Sequence, residues 1–239
     1  MIFIFVFHSV INFFLQTLFV FEVMRRFIVD IDFYKNAYSR DKTPWTCDEP
    51  ERVFQRFLER LKSENYFSHG DVRFLDLGCG EGRHIKLLKE IFPNSKVFAF
   101  DIIREPILKA QQKLKGRYSF FPCVANAFFS PFKDKSFDLV LDFGVFHHIR
   151  VKDTKVYKSE LIRILKDGGF FLIGVFSEKY KHHEKEQRKR NFIYHRKHYD
   201  RFFTEKSLKD EFSFSFEPIE VVEEGKGLEW FIYGLFKKI

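Results

Sequence analysis

Cysteine is scarce in this 239-residue chain. Cys47, Cys79 and Cys123 stand far apart with no Cys-x-x-Cys pair. An odd and dispersed set excludes a disulfide framework and leaves no thiolates for a structural zinc ion, so a reducing cytoplasm is the expected compartment. Acidic residues are outnumbered, 33 against 41 basic, for a net charge of +8 and a pI near 9.2. That balance permits nucleic-acid or anionic-lipid partners without requiring them, and it decides nothing about the fold. No internal repeat and no low-complexity linker occurs, which excludes solenoids and tandem arrays.

Charge is missing altogether from Ile2 to Phe21. A helix of about 20 residues, rising 1.5 Å each, just spans a bilayer core of about 30 Å. Read as an anchor, with Arg25 and Arg26 following it, the segment would leave the rest of the chain on the cytoplasmic side. Neither a basic leading region nor a small-residue cleavage site marks a signal peptide. A polar face of His8, Asn12 and Gln16 interrupts the apolar run, and Met24 directly precedes Arg25. Translation starting at Met24 is the competing reading. The expected division is residues 1–23 as anchor or mis-called start, 24–68 as a helical cap, and 69–239 as one α/β domain. Membrane contact is expected only if 1–23 is a real anchor.

What the chain has is apolar bulk: 45% hydrophobic residues, including 35 phenylalanines, which suits core filling. Asp48, Pro50 and Glu51 read as N-cap, early-turn proline and capping-box acid of a helix carrying Val53, Phe54, Phe57, Leu58 and Leu61 at helical spacing. Strand candidates follow at 72–77, 96–100, 118–124, 137–143 and 169–176. Helical patterns lie between them: Ile85, Leu88 and Ile91, then a segment opened by Glu105-Pro106, then 156–165. Thr204 opens a short helix and 214–239 reads as a strand pair. Alternating strands and helices with nearly continuous apolar strands predict a parallel sheet covered on both faces, with ligands at the strands' carboxyl ends.

One such end carries Asp76-Leu77-Gly78-Cys79-Gly80-Glu81-Gly82. Residues without β-carbons let a ligand approach the backbone closely, and a helix start beyond the loop favours a carboxylate. The spacing is G-x-G-x-G, with arginine at position 83, which departs from the dinucleotide fingerprint. The next strand delivers Asp101 beside the loop, where a carboxylate can accept hydrogen bonds from ribose hydroxyls.

The run 74–82 resembles the first motif of class I S-adenosylmethionine-dependent methyltransferases, and Asp101 resembles their ribose-binding acid. Phe132 to Val140 is similar to that family's approach to its fourth strand, and Leu165 to Gly169 to its turn into the fifth. The resemblance covers about residues 70–176. It implies a Rossmann-like α/β fold with a mostly parallel seven-stranded sheet and an antiparallel C-terminal hairpin, and S-adenosyl-L-methionine as cofactor. By the same resemblance, Asp76, Gly78, Cys79, Gly80 and Gly82 would surround the methionine part, Asp101 the ribose and Ile102 the adenine. Asn126-Ala127 stands where the family has aspartate before alanine, so an amide oxygen would meet the adenine amino group. Asp142, after the fourth strand, would lie near the transferable methyl. Pro44-Trp45 and the run 142–149 resemble the thiopurine and tellurite-resistance subgroup, with Phe143 where that subgroup often has arginine.

A sulfonium is already a good leaving group, so alignment and exclusion of water are the main requirements. A general base is needed only if the acceptor loses a proton, and His147 and His148 are the candidates, with Asp142 for positioning. Residues 179–201 interleave basic and aromatic side chains, a composition suited to phosphates and bases but equally to an exposed lid. With no cysteine or fixed acid to join their histidines, no metal is expected. A small-molecule acceptor is therefore expected; RNA or protein as acceptor, and a cofactor-binding protein without transfer activity, are the alternatives.

Overall fold

Period-two alternation divides β1, Arg73–Leu77, between two cores. Phe74 packs on one face of the sheet, with Val53, Phe57, Ile85, Leu88, Leu139 and Leu172. Leu75 and Leu77 pack on the other, with Val140, Tyr157, Leu161, Phe171 and Phe212. A computed structural model describes residues 31–40, 43, 49–68, 70–195 and 198–239. The uncharged 2–21 run, Met24, Pro44-Trp45 and Asp48 lie outside the described residues. Among those described, no helix is long and apolar enough to cross a membrane.

The other strands are β2 Lys96–Asp101, β3 Phe121–Val124, β4 Phe137–Phe143, β5 Leu165–Phe176, β6 Phe192–His195, β7 His198–Arg201, β8 Phe216–Lys226 and β9 Glu229–Lys238. Seven of them form one sheet in the order β3-β2-β1-β4-β5-β9-β8. β1 to β5 run parallel; β9 is antiparallel to β5, and β8 to β9. This is the Rossmann-like arrangement with a C-terminal hairpin. β6 and β7 form a separate ribbon inserted between β5 and the hairpin.

The helices are α1 Ile31–Ser39, α2 Arg52–Ser63, α3 Arg83–Ile91, α4 Arg104–Leu114, α5 Thr154–Ile164 and α6 Glu205–Phe212. α2, α3 and α4 cover one face of the sheet, α5 and α6 the other. Eleven phenylalanines are among the largest fully buried side chains, so core filling does account for much of the excess. The order reverses at β1, whose neighbours are β2 and β4, and the connections leaving both in opposite directions open a crevice there. α6 starts with a true capping box, Thr204 and Ser207 bonding each other's backbone N–H. α2 does not. It starts at Arg52 with Glu51 as N-cap residue, and the Glu51 carboxylate makes no capping bond because it is engaged elsewhere.

Candidate active site

The glycine loop turns through three left-handed residues, with φ of 73° at Gly78, 51° at Gly80 and 86° at Gly82. A β-carbon on Gly78 would stand 2.2 Å from Val145 Cγ2, and one on Gly80 3.3 Å from the Tyr38 hydroxyl. These two keep the crevice open. Gly82 serves packing instead: its β-carbon would meet Ala110, Leu114 and Ile85 at 3.1–3.2 Å, where α3 closes on α4. Gly82 was expected at the cofactor but does not line the cavity. The loop is tied to β2, because Gly78 and Cys79 both donate their N–H groups to the Phe100 carbonyl (2.8 and 2.9 Å).

Asp101 completes that tie. Oδ2 accepts from the Gly80 N–H at 3.0 Å, and Oδ1 from the Ile103 N–H at 2.9 Å. Each oxygen keeps a lone pair for another donor. Burial raises its carboxyl to about 6 against the pull of those N–H groups. Asp76 is different: it is almost completely buried and neither oxygen accepts a hydrogen bond among the described residues. His84 Nδ1 stands 3.9 Å from Asp76 Oδ1. Burial lifts its carboxyl to about 6, with His84 and Arg83 opposing and Asp101 and Asp142 adding to the rise. An orphaned buried carboxylate costs several kcal/mol, so such a group calls for a cationic or donating ligand.

Around the loop lies a cavity of about 690 Å³. On the β2–β3 side it is lined by Asp101, Ile102, Asn126, Ala127 and Phe128. Asn126 Oδ1 already accepts from the Phe128 N–H at 3.0 Å, which leaves its second lone pair for a ligand. On the β4–β5 side the walls are Phe143, Gly144, Val145, His147, His148, Phe176 and Tyr180, with Tyr34 and Tyr38 of α1 and Phe231 and Tyr233 of β9. Sequence reasoning missed Tyr34, Tyr38, Glu51, Arg83 and His84, which all line it. Glu51 holds Arg83 at 2.9 Å and His84 Nε2 at 2.6 Å. Burial opposes its charge, but His84 and Arg83 outweigh burial and keep the carboxyl below its ordinary range. Arg83 in turn lies 4.7 Å over the Phe143 ring.

Residues 75–173 match the family model described as "Methyltransferase domain". A likeness to solved structures agrees: 1,6-didemethyltoxoflavin-N1-methyltransferase of Burkholderia thailandensis superposes with a TM-score of 0.69 at 19% identity, over 87% of this chain and 86% of that one. Residues 75–173 are thus similar to a methyltransferase domain, on the Rossmann-like fold that the superposed structure shares. Among curated relatives, malonyl-[acyl-carrier protein] O-methyltransferase of Geobacter sulfurreducens is 27% identical over 60% of this chain and 53% of its own. The tRNA (carboxymethyluridine(34)-5-O)-methyltransferase of Arabidopsis thaliana is 33% identical over 51% of this chain and 26% of its own. The chain thus spans about a quarter to a half of these relatives' length.

Asp76, like Gly82, does not itself line the cavity, but its orphaned carboxylate directly precedes the lining residues Leu77 and Gly78; with the β-carbon-free floor at Gly78 and Gly80 and the open lone pairs of Asp101 it fits a cofactor carrying an ammonium and a ribose. Asp142 needs a correction. It does not line the cavity: Oδ1 accepts from the Val145 and Phe146 N–H groups (2.9 and 3.4 Å), and Oδ2 from the Tyr157 hydroxyl at 2.6 Å. Asp142 is therefore a positioning residue that folds the turn carrying His147 and His148. His147 lines the cavity, stacked at 3.8 Å on Phe176, with Nδ1 accepting from the Phe176 N–H at 3.3 Å. Burial, with His148 adding to it, drives its pKa well below the usual value, so it is neutral with its proton on Nε2. It presents a donor rather than a base. His148 also lines the cavity, and its Nδ1 is 2.9 Å from Asp200 Oδ1.

Two arginines of the basic stretch are engaged from within. Arg188 pairs with Glu186, donates to the Tyr180 carbonyl and lies 3.2 Å over Phe202. Arg201 holds Glu211 at 2.8 Å and lies over Phe203. Arg196 and Lys197 lie outside the described residues, as does the side chain of His195.

Proposed function

We propose that the chain is a methyltransferase that transfers the methyl group of S-adenosyl-L-methionine to a small-molecule acceptor. The observation that carries this reading is the cavity itself. One continuous space runs from Asp101, Ile102 and Asn126 past the glycine loop into an aromatic chamber under Tyr34, Phe176 and Tyr180. Its volume falls in the range of small-molecule and cofactor sites, which are mostly apolar with a few placed polar groups. Arg188 and Arg201 of the basic stretch are used in ion pairs and ring contacts, which removes both from a phosphate-binding face and leaves exposed Arg190 as the arginine to test.

In this reading Asp76 holds the ammonium, Asp101 the ribose hydroxyls, Ile102 packs on the adenine, and Asn126 and Ala127 border it. Bound S-adenosylmethionine supplies a methyl group on a sulfonium, which leaves without acid catalysis. The chain's own share is alignment and dryness. Gly78 lets Val145 close onto the loop, Asp142 fixes the turn, and α1 covers the chamber with Tyr34 and Tyr38. His147 can donate from Nε2 to an acceptor atom, and nothing in its state equips it to take a proton.

Incubation of the full chain with methyl-labelled cofactor and a panel of small thiols, phenols, amines and carboxylates, beside bulk tRNA, tests the proposal. Label in a small acceptor and none in tRNA is expected. Label in tRNA alone, lost in Arg190→Ala, would place the acceptor among nucleic acids.

A further inference from the structure

β7 puts His198 and Asp200 on one face at the strand's period of two, with Tyr199 on the other. That face meets His148, which the turn after β4 delivers, and His182 from the segment before the ribbon. His148 Nδ1 is 2.9 Å from Asp200 Oδ1 and 2.7 Å from His198 Nε2, and His198 Nε2 is 3.3 Å from the same carboxylate oxygen. Asp200 Oδ2 is 2.8 Å from His182 Nε2. The Tyr34 hydroxyl of α1 stands 3.1 Å from His198 Nε2. Three imidazoles, from the turn after β4, the segment before the ribbon and β7 itself, thus converge on one buried carboxylate, with the α1 tyrosine against one of them.

We propose that His148, His198 and Asp200 bind a divalent transition metal of the zinc class, with His182 orienting the carboxylate. Metal–nitrogen and metal–oxygen bonds of about 2.0–2.2 Å in tetrahedral geometry set ligand atoms about 3.3 Å apart. The observed separations are 3.3, 2.9 and 2.7 Å, so the two imidazole nitrogens would move apart by about 0.6 Å to take the metal. Two imidazoles and one carboxylate suit zinc, iron or nickel, whereas calcium and magnesium demand oxygen shells. A further group against the second oxygen of a ligating carboxylate is the usual outer support, and His182 Nε2 stands there, 2.8 Å from Oδ2. Hydrogen bonding alone serves the cluster poorly, because His148 Nδ1 lies within 3.2 Å of Asp200, His198 and the Tyr199 carbonyl and carries at most one proton. A cation satisfies the carboxylate and both nitrogens together. His148 and Tyr34 also line the cavity, so the metal adjoins the chamber assigned to the acceptor, a location that rests on the methyltransferase reading above.

The test uses the untagged full chain, stripped with chelator and titrated with Zn²⁺ alone, then with Co²⁺ followed by visible absorption. One equivalent of Zn²⁺ and the intense bands of four-coordinate cobalt are expected. His198→Gln and Asp200→Asn should each weaken zinc at least tenfold and abolish those bands, while exposed His183→Gln leaves both unchanged. Circular dichroism checks folding, and if Asp200→Asn does not fold, His198→Gln decides. A folded wild type that takes up no stoichiometric zinc, or variants that bind as it does, overturns the proposal. S-adenosylhomocysteine titration of the same samples separates the two readings: cofactor binding without zinc leaves the methyltransferase intact and removes the metal, and zinc without cofactor does the reverse.

Discussion

Replacing Asp76 by asparagine should change stability in a way that depends on pH. In the ligand-free fold its carboxyl sits at about 6, raised by burial from the ordinary 3.8. At about 1.4 kcal/mol per pH unit of that gap, ionising it in place costs about 3 kcal/mol. The sign follows from proton counting. Between about pH 4 and 6 the folded state holds more protons than the unfolded one, so stability falls as pH rises through that window. His84 and Arg83 on α3, Cys79 in the loop, Asp101 on β2 and Asp142 on β4 all face this carboxyl, and the 3 kcal/mol includes their mutual effects. Asparagine adds its own unpartnered amide, a cost that does not vary with pH. Urea unfolding of ligand-free wild type and Asp76→Asn from pH 4 to 8 should therefore show their difference moving by about 3 kcal/mol in favour of the variant as pH rises. A constant difference would refute the claim that this carboxylate is buried without a hydrogen-bond donor in the folded chain. Calorimetry adds a second reading: wild-type affinity for S-adenosylhomocysteine should drop below pH 6, and the variant's should respond less.

Other substitutions test the supports of the site. Gly78→Ala forces a β-carbon into the left-handed region, costing about 1–2 kcal/mol before its overlap with Val145 is counted. It should lower the melting temperature and abolish cofactor binding by calorimetry. Tyr157→Phe leaves Asp142 Oδ2 without its donor and should cost about 1–3 kcal/mol, a fall of about 2–4 °C per kcal/mol in a thermal melt. Glu51→Ala releases Arg83 and His84; the urea midpoint should drop by the equivalent of about 1.5–3 kcal/mol with unchanged m-value.

The sheet was legible because each strand is a local apolar run bounded by turns, and residues 137–143 match β4 end to end. The glycine loop and Asp101 were legible because the left-handed turn and the strand end each leave a residue-type signature. What escaped depends on contacts distant in sequence. Tyr34 meets His198 across 164 positions, and His148 meets Asp200 only because the ribbon folds back over the β4 turn. No periodicity announces such meetings. The histidines of the 179–201 stretch were seen, but the acid that fixes them, Asp200, and the partner His148 became visible only once the chain was folded. Asp142 was misread for a related reason: position after the strand was legible, but the inward turn of its carboxylate toward Val145, Phe146 and Tyr157 is a packing outcome.

The most direct test of the central claim is calorimetric titration of S-adenosylmethionine and S-adenosylhomocysteine into the full chain, with Asp101→Ala alongside. Saturable binding at one site, weakened at least tenfold by the substitution while the variant stays folded, is the predicted result. A folded wild type that binds neither compound, or an Asp101→Ala variant that binds them as tightly, would contradict it.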